Sequence, residues 1–185
     1  MKKTLFISAI LAGLSITSLT ANANEHNTIS VGYAQSKMSD ESFKEIFDKP
    51  KGFNLKYRYE FNDRLGIIGS YTRTEKSYSN TVNNITGKVE YASLMAGPSY
   101  RFNEYVSAYA LVGAAAGKIT GTQTTTFLGR SYTVSTDSQD EASVAYGAGL
   151  QFNPHPNIAV DVSYEHAKPG DVKVGTWTVG VGYRF

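Results

Sequence analysis

Hydrophobic and polar residues alternate along most of this chain with a period of two. The alternation is clearest over residues 52–61, where aromatic and aliphatic side chains occupy every second position and charged or amide side chains lie between them. The apolar set is Phe53, Leu55, Tyr57, Tyr59 and Phe61. Successive side chains of a β-strand point to opposite faces, whereas a helix would scatter the charges around its axis. The pattern therefore predicts a strand with one wholly apolar face.

Seven further segments alternate in a similar way, so the pattern predicts eight strands in all. The additional segments begin near Ile29, Leu65, Leu94, Val106, Val144, Ile158 and Trp177. In the segment 106–117 the side chains are small and apolar at both sets of alternate positions. The contrast in polarity that would show which set faces outward is therefore weaker there. We take its outward set to be Val106, Ala108, Ala110, Val112, Ala114 and Ala116.

The connections between these segments alternate between short and long. The short ones, rich in the turn residues Asn, Asp and Pro, are 62–64, 103–105 and 153–157. The polar and mostly longer ones are 37–51, 75–87, about 120–139, and 168–173. Short turns at one end and longer loops at the other are typical of outer-membrane barrels, and an even strand count places both termini at the short-turn end.

Two features favour a closed transmembrane barrel over a soluble β-sandwich. Aromatic residues concentrate near the ends of the apolar faces, as expected where strands meet two membrane interfaces. The opposite faces combine full charges with many glycines, as expected for the crowded interior of a narrow barrel. We therefore predict an all-β fold, an eight-stranded antiparallel up-and-down β-barrel in the bacterial outer membrane, with four loops outside and both termini in the periplasm.

The first 23 residues have the composition of a signal peptide. Lys2 and Lys3 precede an apolar run over 5–19, and Ala21-Asn22-Ala23 forms a small-x-small cleavage pattern. A transmembrane anchor is disfavoured because the run falls short of the ~20 apolar residues that a spanning helix needs. The sequence thus predicts a cleaved signal peptide over 1–23 and a barrel domain over 24–185.

Removal of that segment leaves a neutral chain. The full sequence has 18 Lys plus Arg and 16 Asp plus Glu, and two lysines but no acid precede residue 24, so 16 charges of each sign remain. A global basic field is absent, and we expect no nucleic-acid partner.

Charged residues at the inward positions are expected to fill the barrel interior. Eight strands enclose only enough space for side chains. A lone buried charge is costly, so we expect a mixed-sign network in which each charge finds a partner. The alternative is a narrow ion channel. The predicted lumen network consists of Lys56, Arg58, Glu60, Arg101, Asp161, Glu165 and Arg184.

Several stretches resemble the Ail/Lom/OmpX family of enterobacterial outer-membrane proteins, in register over nearly all of the chain after residue 23. They are 30–36, 52–60, 96–101, 146–154, 174–177 and 180–185. The resemblance implies an eight-stranded barrel whose strands extend beyond the membrane. It also implies adhesion to host cells, binding of extracellular-matrix proteins and resistance to complement for Ail-like members, and looser roles in surface adhesion and envelope defence for OmpX-like members. The loops match neither type well.

The carboxyl terminus carries a further resemblance. Phe185, with Tyr183 before it, is similar to the C-terminal assembly signal of outer-membrane barrels. The resemblance implies recognition by the barrel-assembly machinery during insertion. The alternative is that these rings only form part of the periplasmic aromatic girdle.

No catalytic constellation stands out. The histidines His26, His155 and His166 lack metal-ligand spacing, and neither a GxSxG nor an HExxH motif occurs. Asp161 and Glu165 share a strand face with backbones about 13 Å apart, beyond the ~5–9.5 Å between glycosidase carboxylates. We therefore expect neither an enzyme nor a cofactor or metal site; a barrel enzyme is an alternative.

The loops hold the candidate contacts for host molecules. The Thr-rich run 120–126 predicts a hairpin extending above the membrane. Its apolar residues are expected either to form an adhesive edge for host matrix or complement-regulatory proteins, or to pack within the hairpin. The candidate loop contacts are Phe43, Phe47, Phe127, Leu128 and Tyr132.

Basic residues near the loop end of the strands are candidates for binding lipopolysaccharide phosphates in the surrounding outer-membrane lipid. They are Lys51, Arg73, Lys118, Lys168 and Lys173; the alternative is ordinary solvated charge. Together these features predict a protein that mediates adhesion and serum resistance through its loops. The alternative function is a structural or envelope-defence role with no dedicated ligand.

Overall fold

The computed structural model describes residues 26–38, 49–80, 85–127, 130–137, 141–170 and 172–185. The regular structure in these ranges is entirely β. The strands are β1 (Asn27–Met38), β2 (Lys51–Glu60), β3 (Leu65–Asn80), β4 (Ile85–Arg101), β5 (Val106–Phe127), β6 (Arg130–Asp137), β7 (Glu141–His155), β8 (Ile158–Ala167) and β9 (Val174–Arg184).

Eight of these strands form a closed antiparallel barrel, which confirms the predicted fold class. Each wall strand pairs with its neighbours in the order β1-β2-β3-β4-β5-β7-β8-β9, and β9 returns to β1. The closing ladder runs from the pair Thr28 and Arg184 to the pair Met38 and Val174. Asn27 and Phe185 exchange backbone hydrogen bonds of 3.0 and 2.8 Å, so both ends of the barrel chain lie at the short-turn end.

Strand β6 is the returning arm of a hairpin and not a ninth wall strand. The lower part of β5, residues 106–117, pairs with β7, while its upper part, residues 120–127, pairs with β6. The Thr-rich hairpin predicted from the sequence is therefore present as a backbone ladder.

The expectation of a loop over 75–87 was largely wrong. Strands β3 and β4 pair up to Asn80 and Ile85, and β4 pairs with β5 up to Gln123. Polar residues occupy both sets of alternate positions in this part of the sequence, so it lacks the apolar alternation of the wall, yet the backbone ladder continues. Together with β6 these segments form a four-stranded extension above the other strands, which we call the protruding sheet (residues 76–80, 85–90, 118–127 and 130–137).

Asparagine side chains close two of the short turns. Asn62 Oδ1 accepts hydrogen bonds from the amides of Arg64 (3.0 Å) and Leu65 (2.8 Å). Asn103 Oδ1 accepts two more from the amides of residues 105 and 106. An Asx side chain that bonds the backbone two or three residues ahead stabilises a tight reversal, which explains why Asn occupies both positions.

The third turn is tighter than predicted. We expected a connection over 153–157, but β7 continues to His155 and only residues 156 and 157 form the turn. The pairing of β7 with β8 shifts register between Phe152 and His155, which accommodates one extra residue in β7.

Side-chain exposure alternates along the wall strands as expected for a lipid-facing outer surface. In β5 the outward positions Ala110, Val112 and Ala114 are exposed, whereas Tyr109 and Leu111 are buried, which confirms the predicted orientation of that strand. The described part of the chain contains no helix of membrane-spanning length and hydropathy.

Aromatic pairs lie on the outer surface near both ends of the barrel. At the turn end, Tyr59 contacts Phe61 (ring centroids 5.5 Å apart) and other pairs follow the same pattern. At the loop end, Tyr164 packs on Trp177 at 4.8 Å. Rings at two levels are the arrangement expected at two membrane interfaces.

Candidate functional site

The floor of the lumen, at the periplasmic end, is built around one carboxylate. Glu60 is 2% exposed and lies 2.6 Å from Arg58 NH2 and 2.6 Å from Arg101 NH2, both through Oε1. Arg184 NH2 donates to Oε2 at 2.9 Å. Arg58 also donates through NH1 to Gln151 Oε1 at 2.6 Å. Three guanidinium groups thus face a single carboxylate in a site with little solvent.

The middle of the lumen holds a balanced ion pair. Lys56 pairs with Asp161 and also donates to Ser163 Oγ (2.9 Å) and Thr178 Oγ1 (3.0 Å). Tyr109 OH donates to Asp161 Oδ2 at 2.7 Å. All polar atoms of this pair therefore have partners on other strands, which offsets the cost of burying both charges.

Glu165, nearer the loop end, differs from the predicted network. Its carboxylate accepts hydrogen bonds from Thr72 Oγ1 (3.1 Å) and Ser93 Oγ (3.0 Å). Within the described ranges it forms no ion pair, although we expected each lumen charge to find an opposite one. Hydroxyl donors stabilise this buried carboxylate instead.

An apolar layer, which the sequence pattern did not predict, closes the interior above Glu165. Its members include Met38, Val89, Ala167 and Val174, all at most 7% exposed. Buried Pro169 also lies here, with its Cγ 3.3 Å from the position that a Cβ on Gly117 would take. We call these five residues the apolar cap. Parity places them inside the barrel, where we had expected mainly charged residues and glycines.

Tyr109 was also not predicted, because the strand that carries it is apolar on both faces. Its ring needs the glycine opposite: a Cβ on Gly149 would lie 2.3 Å from Tyr109 Cζ and 2.3 Å from its hydroxyl oxygen. The glycine within the otherwise alternating β7 is the signal that a large inward ring faces it.

Two of the five predicted loop contacts, Phe127 and Tyr132, belong to the described residues. Phe43, Phe47 and Leu128 fall outside the described residues. The backbone of Phe127 ends β5 opposite Arg130, and the backbone of Tyr132 pairs with Thr125. Both positions belong to the protruding sheet.

The five predicted lipopolysaccharide contacts separate into two groups. Lys51, Lys168 and Lys173 are exposed on β2 and on the residues flanking the β8–β9 connection. With Lys37 on β1 they follow four consecutive wall strands, and we call these four residues the lysine belt. The belt lies just above the loop-end aromatic rings.

Arg73 on β3 and Lys118 on β5 lie among acidic residues, on the strands that follow β2 around the wall. Arg73 NH2 donates to Glu90 Oε1 at 3.0 Å, and Lys118 is paired in register with Glu90. Lys88 donates to Glu90 at 2.9 Å and lies 3.4 Å from Glu75. All of these charged side chains lie on the loop side of the apolar band that faces lipid. The hydrogen bond from Lys88 is the main cause that holds the pKa of Glu90 below its ordinary value, with Arg73 adding to it.

No metal centre is apparent in the part of the chain that the structure describes. No cluster of three or more His, Cys, Asp or Glu residues there has the geometry to hold an ion. Asp161 and Glu165 have separate sets of partners, and His166 packs against the ring of Tyr146 at 5.4 Å.

Comparison with known proteins agrees with this architecture. The profile of the family described as "Enterobacterial Ail/Lom protein" matches residues 1–185. The attachment invasion locus protein of Yersinia pseudotuberculosis serotype I (strain IP32953) is 49% identical over 188 residues, covering 100% of this chain and 98% of that protein. Outer membrane protein X of Escherichia coli (strain K12) is 44% identical over 186 residues, covering 100% of both.

A solved structure is similar as well. The crystal structure of Ail, the attachment invasion locus protein of Yersinia pestis, was determined in complex with the heparin analogue sucrose octasulfate. It has 49% sequence identity and a TM-score of 0.73, covering 86% of this chain and 98% of that chain. These three relatives are named for attachment, invasion or the outer membrane, and not for an enzymatic reaction.

Proposed function

The chain belongs to the enterobacterial Ail/Lom family, and from this premise we propose that its extracellular surface attaches the bacterium to host cells and matrix and resists complement. Membership and the closed barrel together place the protein in the bacterial outer membrane. The proposed activity is binding without catalysis, and the protein acts through the parts that extend beyond the membrane.

The protruding sheet is the observation that carries this proposal. Among the described residues, β6 pairs only with β5, and residues 76–80 of β3 pair only with β4. Each therefore has one edge whose backbone N–H and C=O groups are not in a ladder. Such an edge can accept an extended segment of another protein as an added strand, with affinity supplied by main-chain hydrogen bonds.

The test removes the edge that β6 provides and keeps both the barrel and the β3 edge. Cells carry either a variant in which residues 121–136 are replaced by an Asn-Gly turn, or a control with the β6 changes Thr133→Ser and Ser135→Thr, which preserve the backbone. We expect the first to lose adhesion to immobilised matrix protein and survival in serum, and the control to retain both. Equal adhesion and survival in these two strains and in cells with the natural chain would favour the alternative, an envelope protein with no dedicated ligand.

We further propose a sulfated polysaccharide of the host matrix as a ligand of the lysine belt. The related Ail structure holds a heparin analogue, and exposed ammonium groups form charge-assisted hydrogen bonds with sulfate oxygens. Lys51→Gln with Lys173→Gln should weaken salt-dependent binding to immobilised heparin, while Arg64→Gln, a cation lost from the periplasmic turn, should not. Unchanged heparin binding in the double variant contradicts the proposal.

Lipopolysaccharide is the second proposed ligand at this level. The belt lies above the aromatic rings, where the phosphates of outer-leaflet lipid are expected. Lys118 belongs to the proposal as well, although it neighbours Glu90. Charge reversal of Lys51, Lys118 and Lys173 should lower affinity for purified lipopolysaccharide, and an unaltered affinity would remove this role.

We also propose a role for each end of the chain, in export across the inner membrane and in insertion into the outer membrane. Residues 1–23 act as a signal peptide, so mass spectrometry of the protein from outer membranes should give an N-terminus at Asn24. Tyr183 and Phe185 act as the signal for the barrel-assembly machinery. Both proposals rest on the sequence pattern. Residues 1–23 lie outside the described residues.

A further inference from the structure

The barrel ends at the short turns in a depression of about 670 Å³. All three short turns contribute to its wall, through Arg64, Glu104 and Pro154 among other residues. The volume lies within the range of about 300–1,000 Å³ that is usual for small-molecule sites. The depression faces the periplasm, because the short turns and both ends of the barrel chain lie on that side of the membrane. The surface activity proposed above makes no use of it.

The wall of this depression carries both signs of charge. Asp63 and Glu104 are exposed on two different turns, and Arg64 follows Asp63 on the first of them. Arg101 contributes a guanidinium group from β4. A ligand with charge of one sign only would meet like charges in this wall. A ligand that carries an ammonium and a carboxylate can meet an opposite charge for each.

Arg101 has a donor group that the barrel does not use. Its Nε and NH2 both donate to Glu60, whereas its NH1 has no hydrogen-bond partner within the described part of the chain. The residue is 7% exposed and lines the depression, and NH1 is not among the enclosed polar atoms. NH1 therefore faces the depression. A guanidinium that is held in place by a buried carboxylate is well suited to bind a carboxylate of a ligand.

Asn153 provides the opposite kind of group in the same depression. Its Nδ2 donates to Ile158 O at 3.1 Å, and its backbone N–H donates to Tyr105 O at 2.7 Å, so the residue is fixed at both ends. Its Oδ1 forms no hydrogen bond with any described residue, although Asn153 is only 3% exposed. Buried acceptors almost always have a partner, so this oxygen indicates a bound donor such as an ammonium group.

We propose that the depression binds an amino-acid zwitterion, in which one carbon carries an ammonium and a carboxylate. The carboxylate contacts Arg101 NH1, and the ammonium contacts Asn153 Oδ1, with the carboxylates of Asp63 and Glu104 nearby. Two sources in the periplasm offer this chemistry, a free amino acid and the diamino acid within the peptides of the cell wall. In the second case the contact ties the barrel to the cell wall, an activity separate from attachment to a host.

The experiment titrates the refolded chain from residue 24 onward, in lipid nanodiscs, with meso-diaminopimelic acid. NMR records the Arg101 Nε–Hε and Asn153 side-chain amide resonances. Pimelic acid, which lacks the ammonium groups, and 1,5-diaminopentane, which lacks the carboxylates, are the matched ligands at equal ionic strength. We expect saturable shifts with the diamino acid and about tenfold weaker binding of each matched ligand, which loses charge-assisted hydrogen bonds of one sign. Shifts that do not saturate, or equal affinity for either matched ligand, would overturn the proposal.

Glu104→Gln tests the site from the side of the protein. It should weaken binding of the diamino acid about two- to fivefold, the range expected for an exposed charge pair. Glu75→Gln removes an exposed carboxylate from the opposite end of the barrel and is the matched control. Arg101→Gln should weaken binding further; if this variant fails to fold, Glu104→Gln and the ligand series decide. An equal affinity in the Glu104 and Glu75 variants contradicts the proposal.

A muropeptide that contains the same diamino acid separates the two sources. Saturable shifts with the muropeptide, together with retention of the folded barrel on purified sacculi, assign the site to the cell wall. Saturable shifts with the free diamino acid alone assign it to a free amino acid. No response to either probe excludes both.

Discussion

Arg101 donates two hydrogen bonds to the same oxygen of Glu60, from Nε at 3.0 Å and from NH2 at 2.6 Å. This leaves the second oxygen of Glu60 to Arg184. One carboxylate thereby joins strands β2, β4 and β9, none of which pair with one another in the barrel wall. The relationship makes Glu60 the central residue of the lumen floor.

We predict that Glu60→Gln destabilises the barrel strongly. The amide keeps the shape of the side chain but removes the carboxylate that pairs with Arg58, Arg101 and Arg184. Loss of one partner from a buried ion pair typically costs about 3–5 kcal/mol. Urea-dependent unfolding in lipid vesicles measures the change. Glu104→Gln, on an exposed turn, should have little effect, and similar midpoints for the two variants would disprove a central role for Glu60.

A second prediction concerns the glycine beneath Tyr109. Gly149→Ala should destabilise the barrel by about 1–3 kcal/mol because the new methyl group overlaps the ring. Gly69→Ala is the control, since its nearest neighbour lies 4.0 Å from the added carbon. Combining Gly149→Ala with Tyr109→Ala should make the glycine substitution less costly but not neutral, because Ser163 Cβ would still lie 2.7 Å from the added carbon. If the pair of changes is additive, the ring is not the cause.

The Asn62 turn gives a third prediction. Asn62→Ala removes the acceptor for two amides and should lower stability by about 1 kcal/mol, the usual net contribution of such hydrogen bonds. Asn62→Asp keeps an oxygen in place and should retain most of the stability. Unfolding midpoints of both variants provide the check, and an Ala variant as stable as the Asp variant contradicts the role of the acceptor.

A pH dependence is expected at Glu90, outside the membrane. Because Lys88 and Arg73 hold its pKa below the ordinary value, the ion pair stabilises the folded state above the unfolded pKa. That contribution disappears as the pH falls through the folded pKa. An NMR titration of the Glu90 carboxyl carbon should show a midpoint below that of an isolated glutamate, and Lys88→Gln should raise it. A midpoint that Lys88→Gln leaves in place would show that the Lys88 contact does not persist in solution.

Deletion of Phe185 should slow insertion into the outer membrane in cells. The deletion also removes the backbone hydrogen bonds between Phe185 and Asn27, so folding must be measured apart from assembly. Phe185→Ala retains those bonds and removes only the ring. A defect in both variants in cells, with normal refolding of Phe185→Ala in detergent, supports recognition by the assembly machinery. Normal assembly of both variants excludes it.

The wall of the barrel was predictable because successive residues face lipid and lumen in turn. Lipid favours apolar side chains, and the lumen favours polar or charged ones. In β2, that contrast places Lys56 and Arg58 inside and Tyr57 outside from the sequence alone. The protruding sheet was harder to predict because water lies beyond the membrane on either face. Residues 75–87 therefore carry no alternation, although most of their backbones pair as strands.

The partners within the lumen were not predictable from local patterns. Lys56 and Asp161 lie 105 residues apart, and their contact depends on the stagger of strands across the barrel. That stagger also decides which groups surround a buried carboxylate. Asp161 meets a cation, whereas Glu165 meets only hydroxyl groups. The alternation along a strand shows which side of the wall a side chain faces, but it does not show how high along the barrel axis that side chain lies.

The apolar cap separates two halves of the molecule that face different surroundings. Met38, Val174 and Pro169 lie between the charged residues of the lumen and the solution outside the cell. Substitutions in the surface hairpins therefore change the face seen by a host without disturbing the electrostatics that hold the cylinder together. Such insulation means that a change of sequence beyond the membrane need not alter the ion pairs inside the barrel.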